Sequence, residues 1–129
     1  MNTRDIGNIG ETAAAKHLKK NGYKVIERNL HVSRNELDIV AVHKKQKILA
    51  FVEVKTRTVD DDLYSRFGTP ASAVSKEKQS RTIEAARVFL TKNGKYSSFQ
   101  PRLDVIEVFL KKESFEILSI NHIENAFSV

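Results

Sequence analysis

The stretch Ile48-Leu-Ala-Phe-Val-Glu-Val-Lys55 decides how the rest of this 129-residue chain is interpreted. Its apolar composition is typical of a β-strand that is buried on both faces. Glu53 and Lys55 lie two residues apart near its end, so their side chains are expected on the same face of the strand. Burying charged groups is costly unless they are paired or bind an ion. The pair therefore needs a partner or a function.

The composition limits the class of protein. A chain of 129 residues with 40% hydrophobic residues predicts one globular domain, residues 1–129, and not a disordered chain. The absence of cysteine excludes disulfides, thiolate catalysis and zinc ribbons. With no apolar signal segment at the N-terminus, a cytoplasmic location is expected. The net charge of +6 favours a polyanionic partner, nucleic acid before an anionic membrane surface.

The order of periodic segments predicts an α/β fold of αβββαββ type, a mixed sheet covered by helices. The helices are expected over residues 7–21 and 76–91, and the strands over residues 23–30, 36–43, 48–57, 102–110 and 115–120. Ser75 is expected to cap the second helix. The long irregular segment 58–74 is of a length that is often functional. The tail 121–129 is expected to add one helical turn.

The short polar connection 44–47 fixes the expected register of the hairpin between strands two and three. A tight turn within it pairs Leu37 with Val54, Ile39 with Val52 and Val40 with Phe51. Because these apolar pairs match well, they support the register.

The same register brings two carboxylates together. Asp38 is expected directly opposite Glu53, with Cβ atoms about 4.5–5.5 Å apart, and Glu36 opposite Lys55. Opposed carboxylates destabilise a sheet unless a proton or a cation intervenes. Mg²⁺ would resolve the repulsion, because it takes one or two carboxylates and keeps waters for exchange. Lys55 could then orient or deprotonate a water, or stabilise charge on a phosphate. The alternative is a solvated or mutually paired strand edge.

Together these residues resemble a known family. A helix, a strand with an aspartate and a strand with Glu-x-Lys are similar to the PD-(D/E)XK nuclease superfamily, which has the restriction-endonuclease-like fold. More closely, the chain resembles the YraN-like family of small bacterial proteins. The matching segments are Gly7-x-x-Gly10-Glu11, Gly22-Tyr23, Arg28-Asn29, Glu36-Leu-Asp38-Ile-Val40, Phe51-Val-Glu-Val-Lys55-Thr-Arg57, Gly68-x-Pro70, Lys78 and Arg102-x-Asp104-Val105.

Two positions depart from the family pattern. The proline that usually precedes the first acidic residue is Leu37, and the usual glycine before Glu-x-Asp is Asn35. Asparagine tolerates left-handed turn geometry, so the turn can be kept. Neither departure removes a ligand.

The resemblance implies roles for the matched residues. Asp38 and Glu53, with the carbonyl of Val54, would ligate Mg²⁺ or Mn²⁺, and Lys55 would be the catalytic lysine. Glu11 resembles the extra helical carboxylate of archaeal Holliday-junction resolvases and would join the catalytic and metal-binding set. The alternative for Glu11 is an ordinary solvated glutamate in the first turn of the helix, favoured by the helix dipole.

Three further residues are expected to contact nucleic acid: Arg57, Lys78 and Gln79. The alternatives are a capped strand end for Arg57 and a solvated helix face for the other two. Asp104 is expected to form a structural ion pair with Arg102.

Two functions of different classes follow. The first is a metal-dependent endonuclease that hydrolyses phosphodiester bonds in DNA, including branched or structured DNA, with DNA favoured over RNA. The second is a non-catalytic nucleic-acid-binding or partner-binding module on the same fold, suggested by the lack of a separate substrate-reading domain. Because related junction resolvases work as dimers, the resemblance also implies a homodimer. A membrane role is disfavoured, because neither helix has a broad bulky apolar face.

Overall fold

The fold is built on one five-stranded sheet in the order β1-β2-β3-β4-β5. A computed structural model describes residues 2–60 and 74–128. The elements are α1 Thr3–Lys20, β1 Lys24–Val32, β2 Asn35–His43, β3 Ile48–Val59, α2 Lys76–Lys92, a 3₁₀ turn Gly94–Tyr96, β4 Gln100–Lys111 and β5 Ile117–Ile123. β3 and β4 are parallel, whereas the other neighbours are antiparallel. The predicted αβββαββ fold, a mixed sheet flanked by helices, is confirmed.

The two helices cover opposite faces of the sheet. α1 buries Leu18 against the face that carries Ala50 and Val52. α2 buries Phe89 against the other face, where its ring meets Phe51 edge to face with ring centroids 5.7 Å apart. Because side chains alternate along a strand, each helix packs on its own apolar layer of β3. Both faces of the central strand are therefore buried, as its composition indicates. No helix among the described residues is long and apolar enough to cross a membrane.

The ends of several elements differ from the prediction. α1 begins at Thr3 because Asn2 caps it, and the Asn2 side chain accepts the N–H of Asp5 at 2.9 Å. β3 continues to Val59. Most of the predicted irregular segment, including the Gly68-x-Pro70 match, lies outside the described residues.

The prediction of a helical turn in the tail is wrong. β5 continues to Ile123, which pairs with Val105 of β4, and turns follow it. Cross-strand hydrogen bonds to β4 therefore replace local helical ones. β5 also begins later than expected, at Ile117, because Phe115 has a φ of 59°, which is typical of a turn.

The predicted hairpin register is confirmed from Ile39 onward only, and the expected pair of Leu37 and Val54 is absent. Ile39 pairs with Val52 and the register continues to the end of the hairpin. The expected pairing of Asp38 with Glu53 does not form, because the N–H of Val54 donates to the Asp38 carboxylate at 2.9 Å. The expected pairing of Glu36 with Lys55 is absent for the same reason: the ladder stops at Ile39 and Val52.

The sheet is interrupted on the other side of Asp38 as well. Asn29 of β1 has a φ of 50°, and it falls between the regular pairs Arg28–Ile39 and Leu30–Leu37. A left-handed residue changes the direction of a strand, and asparagine is one of the few residues that tolerate it. Asp38 is therefore a position at which β2 pairs with neither β1 nor β3.

Asp104 of β4, in register with Val52 of β3, is the centre of a buried polar network. It accepts two hydrogen bonds from Arg102, one from His122, each at 2.8 Å, and one from the N–H of Asn125 at 3.0 Å. Arg102 also donates to the hydroxyl of Tyr23. Burial alone would raise the pKa of Asp104, but these hydrogen bonds outweigh it and lower the pKa. The structural ion pair expected for Asp104 is present.

Gly10 allows α1 to approach β3 closely. A Cβ atom at this position would lie 1.8 Å from Oγ1 of Thr56 and 2.8 Å from both its Cβ and its Cγ2. Rotating the threonine side chain does not relieve the contact with its Cβ, because that atom does not move. We expect Gly10→Ala to lower the free energy of unfolding by about 1–3 kcal/mol. In Gly94→Ala, where a Cβ would meet nothing within 4 Å, the effect should be small. Urea unfolding measures both, and equal stabilities would contradict the close contact.

Substitution of Asp104 tests the buried network. Asp104→Asn removes the charge that Arg102 and His122 face, so we expect a loss of about 3 kcal/mol. Glu124→Gln is the matched control, because Glu124 contacts Arg102 at 3.7 Å but its side chain is 60% exposed. Exposed pairs contribute at most about 1 kcal/mol. Thermal unfolding of both variants should separate them, and similar melting temperatures would show that the network adds little.

Candidate metal centre

Two carboxyl groups lie side by side where the sheet opens. Asp38 of β2 and Glu53 of β3 are within hydrogen-bonding reach of each other. Glu53 is only 5% exposed. Its Oε1 lies 3.9 Å from Nζ of Lys55 and 3.7 Å from Nζ of Lys78. The predicted carboxylate pair therefore forms where β2 no longer pairs with β3, and the two residues are not ladder partners.

Burial and proximity shift the ionisation of this pair. Burial and then the charge of Asp38 raise the pKa of Glu53 to about 7, against the opposing charges of Lys78 and Lys55. Burial also raises the pKa of Asp38, although the Val54 N–H and Lys78 oppose it. When two carboxyl groups lie close together and largely shielded from water, binding a proton is more favourable than ionising both groups. The pair therefore favours either a proton or a cation between its oxygens.

Glu11 lies near this pair but is held by other residues. It is 8% exposed and accepts hydrogen bonds from Asn29 at 2.7 Å and Arg28 at 3.3 Å. Burial raises the pKa of Glu11, the hydrogen bond from Arg28 opposes the shift, and the charge of Asp38 adds to it. Glu11 is thus a buried, fixed acceptor in the third turn of α1, not a solvated glutamate of the first turn.

The other predicted residues surround the pair at different depths. Lys78 contacts Glu53 directly. Gln79 donates to the carbonyl of Val74 at 3.0 Å, so it supports the start of α2. Glu36 lies at the rim, where His31 is 3.9 Å from it. The hairpin register predicted that Glu36 pairs with Lys55, and this pairing is absent.

A cavity of about 320 Å³ opens next to the pair, and we call it the α1 cleft. It lies between the first turns of α1 and the end of β3. The residues of its wall that matter here are Arg4, Gly7, Asn8, Glu11, Asp38 and Lys55. The predicted catalytic residues Asp38, Lys55 and Glu11 therefore border one accessible space.

The chemistry of the pair suits a hard divalent cation. Two carboxylates are the protein ligands that Mg²⁺ usually takes, with water in the other positions. The described residues contain no group of three acidic or histidine side chains close enough to hold one ion. Asp38 and Glu53 fit such an ion as a pair. Glu11 faces Arg28 and Asn29, and Val54 uses its N–H on Asp38.

Glu107 is a residue near the centre that sequence reasoning missed. It lies on β4, in register with Lys55, and is 1% exposed. One oxygen accepts from Nε of Arg57, and the other has no partner among the described residues. Arg57 is therefore anchored by a buried carboxylate. The signal was available: Glu107 is a charge inside the apolar run 105–110, as Glu53 is in β3.

The raised pKa of Glu53 predicts an unusual pH dependence of stability. The folded protein binds a proton at Glu53 more tightly than the unfolded chain, so stability from this group is lost as pH rises toward 7. Without divalent cations, Glu53→Gln should therefore be more stable than wild type at pH 8, by about 1–3 kcal/mol, and nearly equal at pH 5. Urea unfolding at both pH values measures this.

The matched control is Glu77→Gln, because the Glu77 side chain is 80% exposed. Its stability relative to wild type should not change between the two pH values. A Glu53→Gln variant that is less stable than wild type at pH 8 would contradict the raised pKa.

Comparison with known proteins identifies the family. The model of the uncharacterised protein family UPF0102 matches residues 10–108. A UPF0102 protein of Caldanaerobacter subterraneus is 39% identical over 98% of both chains. One of Caldicellulosiruptor saccharolyticus is 39% identical over 98% of this chain and 100% of its own, and one of Clostridium botulinum strain 657 is 37% identical over 98% and 96%. The chain therefore belongs to the UPF0102 (YraN) family.

Proposed function

We propose that this protein is a metal-dependent endonuclease that hydrolyses phosphodiester bonds in DNA. The observation that supports this most directly is the pair of the half-buried Asp38 and the buried Glu53, with Lys55 beside it and an open cleft next to it. Buried like charges are unfavourable, and strongly perturbed carboxyl groups in a cleft are typical of functional sites. A purely structural role gives no reason to place Asp38, one acid of the pair, in the wall of a cavity.

The chain's own residues would bind and orient the reactants. Asp38 and Glu53 would hold Mg²⁺ or Mn²⁺, with the carbonyl of Val54 as a further ligand and Glu11 nearby. The chemistry that a bound cation supplies is polarisation of a phosphate and a lower pKa of water. For Glu53 to bind the ion it must lose its proton, and Lys55 and Lys78 favour that loss.

Lys55 is placed to act on the water or on the phosphate. Its Nζ lies 3.9 Å from Glu53, and its side chain borders the α1 cleft. There it would orient or deprotonate the attacking water, or stabilise charge on the phosphate. Attack on phosphorus adds the hydroxyl of water there and transfers a proton to the leaving oxygen. The superfamily pattern implies that the product carries a 5′-phosphate.

The charges around the pair favour nucleic acid as the substrate. The net charge is +6. Lys78 contacts Glu53 and Arg57 contacts Glu107, and both basic side chains are about one third exposed. Each can therefore keep its carboxylate partner and still reach a phosphate. DNA is proposed over RNA, with branched or structured DNA among the candidates. Such an enzyme would act in the cytoplasm, and its action on two strands would suit a homodimer.

A non-catalytic module remains the second candidate, because Glu53 is already neutralised in part by Lys55 and Lys78. Ion pairs of this kind can be purely structural. That candidate predicts salt-sensitive DNA binding that divalent cations do not change.

Titration with Mn²⁺ in a calorimeter separates the two candidates. We expect wild type to bind Mn²⁺, and Asp38→Ala to lose the heat of binding, because the cation loses a carboxylate ligand. Cleavage is then measured on linear, flapped and four-way DNA and on an RNA duplex. Glu53→Ala and Lys55→Ala should each lose all cleavage.

Lys19→Ala is the control for these variants, because Lys19 is exposed at the far end of α1. It should cleave as wild type does. Cleavage that survives in both Glu53→Ala and Lys55→Ala would place the activity elsewhere. Unchanged heat in Asp38→Ala would exclude the proposed metal site.

A further inference from the structure

The α1 cleft contains a glycine that packing does not explain. Gly7 lies within α1, where glycine is unfavourable relative to alanine because its backbone loses more conformational entropy. A Cβ atom there would meet no atom within 4 Å among the described residues. Gly10, three residues later, is different because its Cβ would collide with Thr56. The missing side chain of Gly7 therefore keeps space open in the cleft.

Two polar side chains flank Gly7 on the same wall of the cleft. Arg4 and Asn8 both line it, and neither side chain makes a hydrogen bond or an ion pair with another described residue. Arginine carries five donors that suit phosphate, and an asparagine amide can donate to the same oxygens. Lys55 adds a cation on the opposite wall. The cleft thus offers the donors of Arg4, Asn8 and Lys55 beside the carboxylates of Glu11, Glu36 and Asp38.

We propose that one phosphodiester strand of DNA lies in the α1 cleft, passes over the backbone of Gly7, and is held by Arg4 and Asn8. The inference rests on the proposed nuclease function and adds to it the path of the substrate. Because a helical glycine exposes its backbone, the strand can approach α1 closely. Any side chain at position 7 would occupy the same space, so Gly7 sets the width of the passage.

The test fills the cleft without disturbing the fold. Gly7→Leu should bind labelled DNA and cleave it in Mn²⁺ about tenfold or more weakly than wild type, because the leucine occupies the path. Its melting temperature should be equal or higher by about 2 °C, because leucine favours a helix more than glycine does. Fluorescence anisotropy without metal measures binding, so one readout does not depend on catalysis.

Gly94→Leu is the matched control. A Cβ at Gly94 would also meet nothing within 4 Å, but Gly94 follows the end of α2 that is remote from Lys78. This variant should bind and cleave within about twofold of wild type. If Gly7→Leu binds and cleaves as Gly94→Leu does, no strand passes over Gly7 and the inference is wrong.

A charge variant tests the contact with phosphate. Arg4→Gln should reduce the slope of log K against log salt concentration by about one, because one fewer counterion is released. An unchanged slope would exclude the contact made by Arg4. If wild-type protein neither binds nor cleaves any DNA, the proposed function itself fails, and the inference fails with it. A wild type that cleaves DNA together with a fully active Gly7→Leu would overturn only the path.

Discussion

The hydrogen bond from the N–H of Val54 to the carboxylate of Asp38 is the interaction on which the site depends. A side-chain acceptor replaces the backbone carbonyl that would have continued the ladder between β2 and β3. The two strands therefore separate after Ile39 and Val52. This opening lets a carboxylate of β2 reach one of β3, and it admits the α1 cleft between the sheet and the helix. One local exchange of acceptors thus produces the pair and the access to it.

Buried carboxylates are stabilised in three different ways in this fold. Asp104 accepts hydrogen bonds from donors on every side, and its pKa is lowered. Glu107 has one cation, Arg57, and one oxygen without a partner among the described residues. Glu53 faces a second acid, and its pKa is raised. The first arrangement stabilises the fold, whereas the last leaves an ionisation that a proton or a cation can complete. This contrast distinguishes the candidate metal centre from the structural network of Asp104.

The two glycines of α1 show how one helix serves both packing and access. Gly10 brings the helix onto Thr56 of β3, which fixes the position of Glu11 next to Asn29. Gly7, one turn earlier, lines the cleft, and a Cβ atom at this position would meet no atom within 4 Å. Gly10 is therefore required by close packing. Replacing Gly7 would cost nothing in packing, so we attribute this glycine to what the cleft accommodates.

Hydrophobic periodicity and short turns are local signals, and from them the sequence predicted the αβββαββ fold, the hairpin register from Ile39 onward and the candidate acids. It also predicted that Asp38 and Glu53 meet. Only the tertiary structure decided how: the ladder ends early, since a side chain from 16 residues away takes the N–H of Val54. The link between Glu107 and Arg57 and the neighbours of Glu11 are equally non-local. Such contacts depend on how α1 and β4 pack on β3, and they join residues too far apart in the chain for a local sequence pattern to predict.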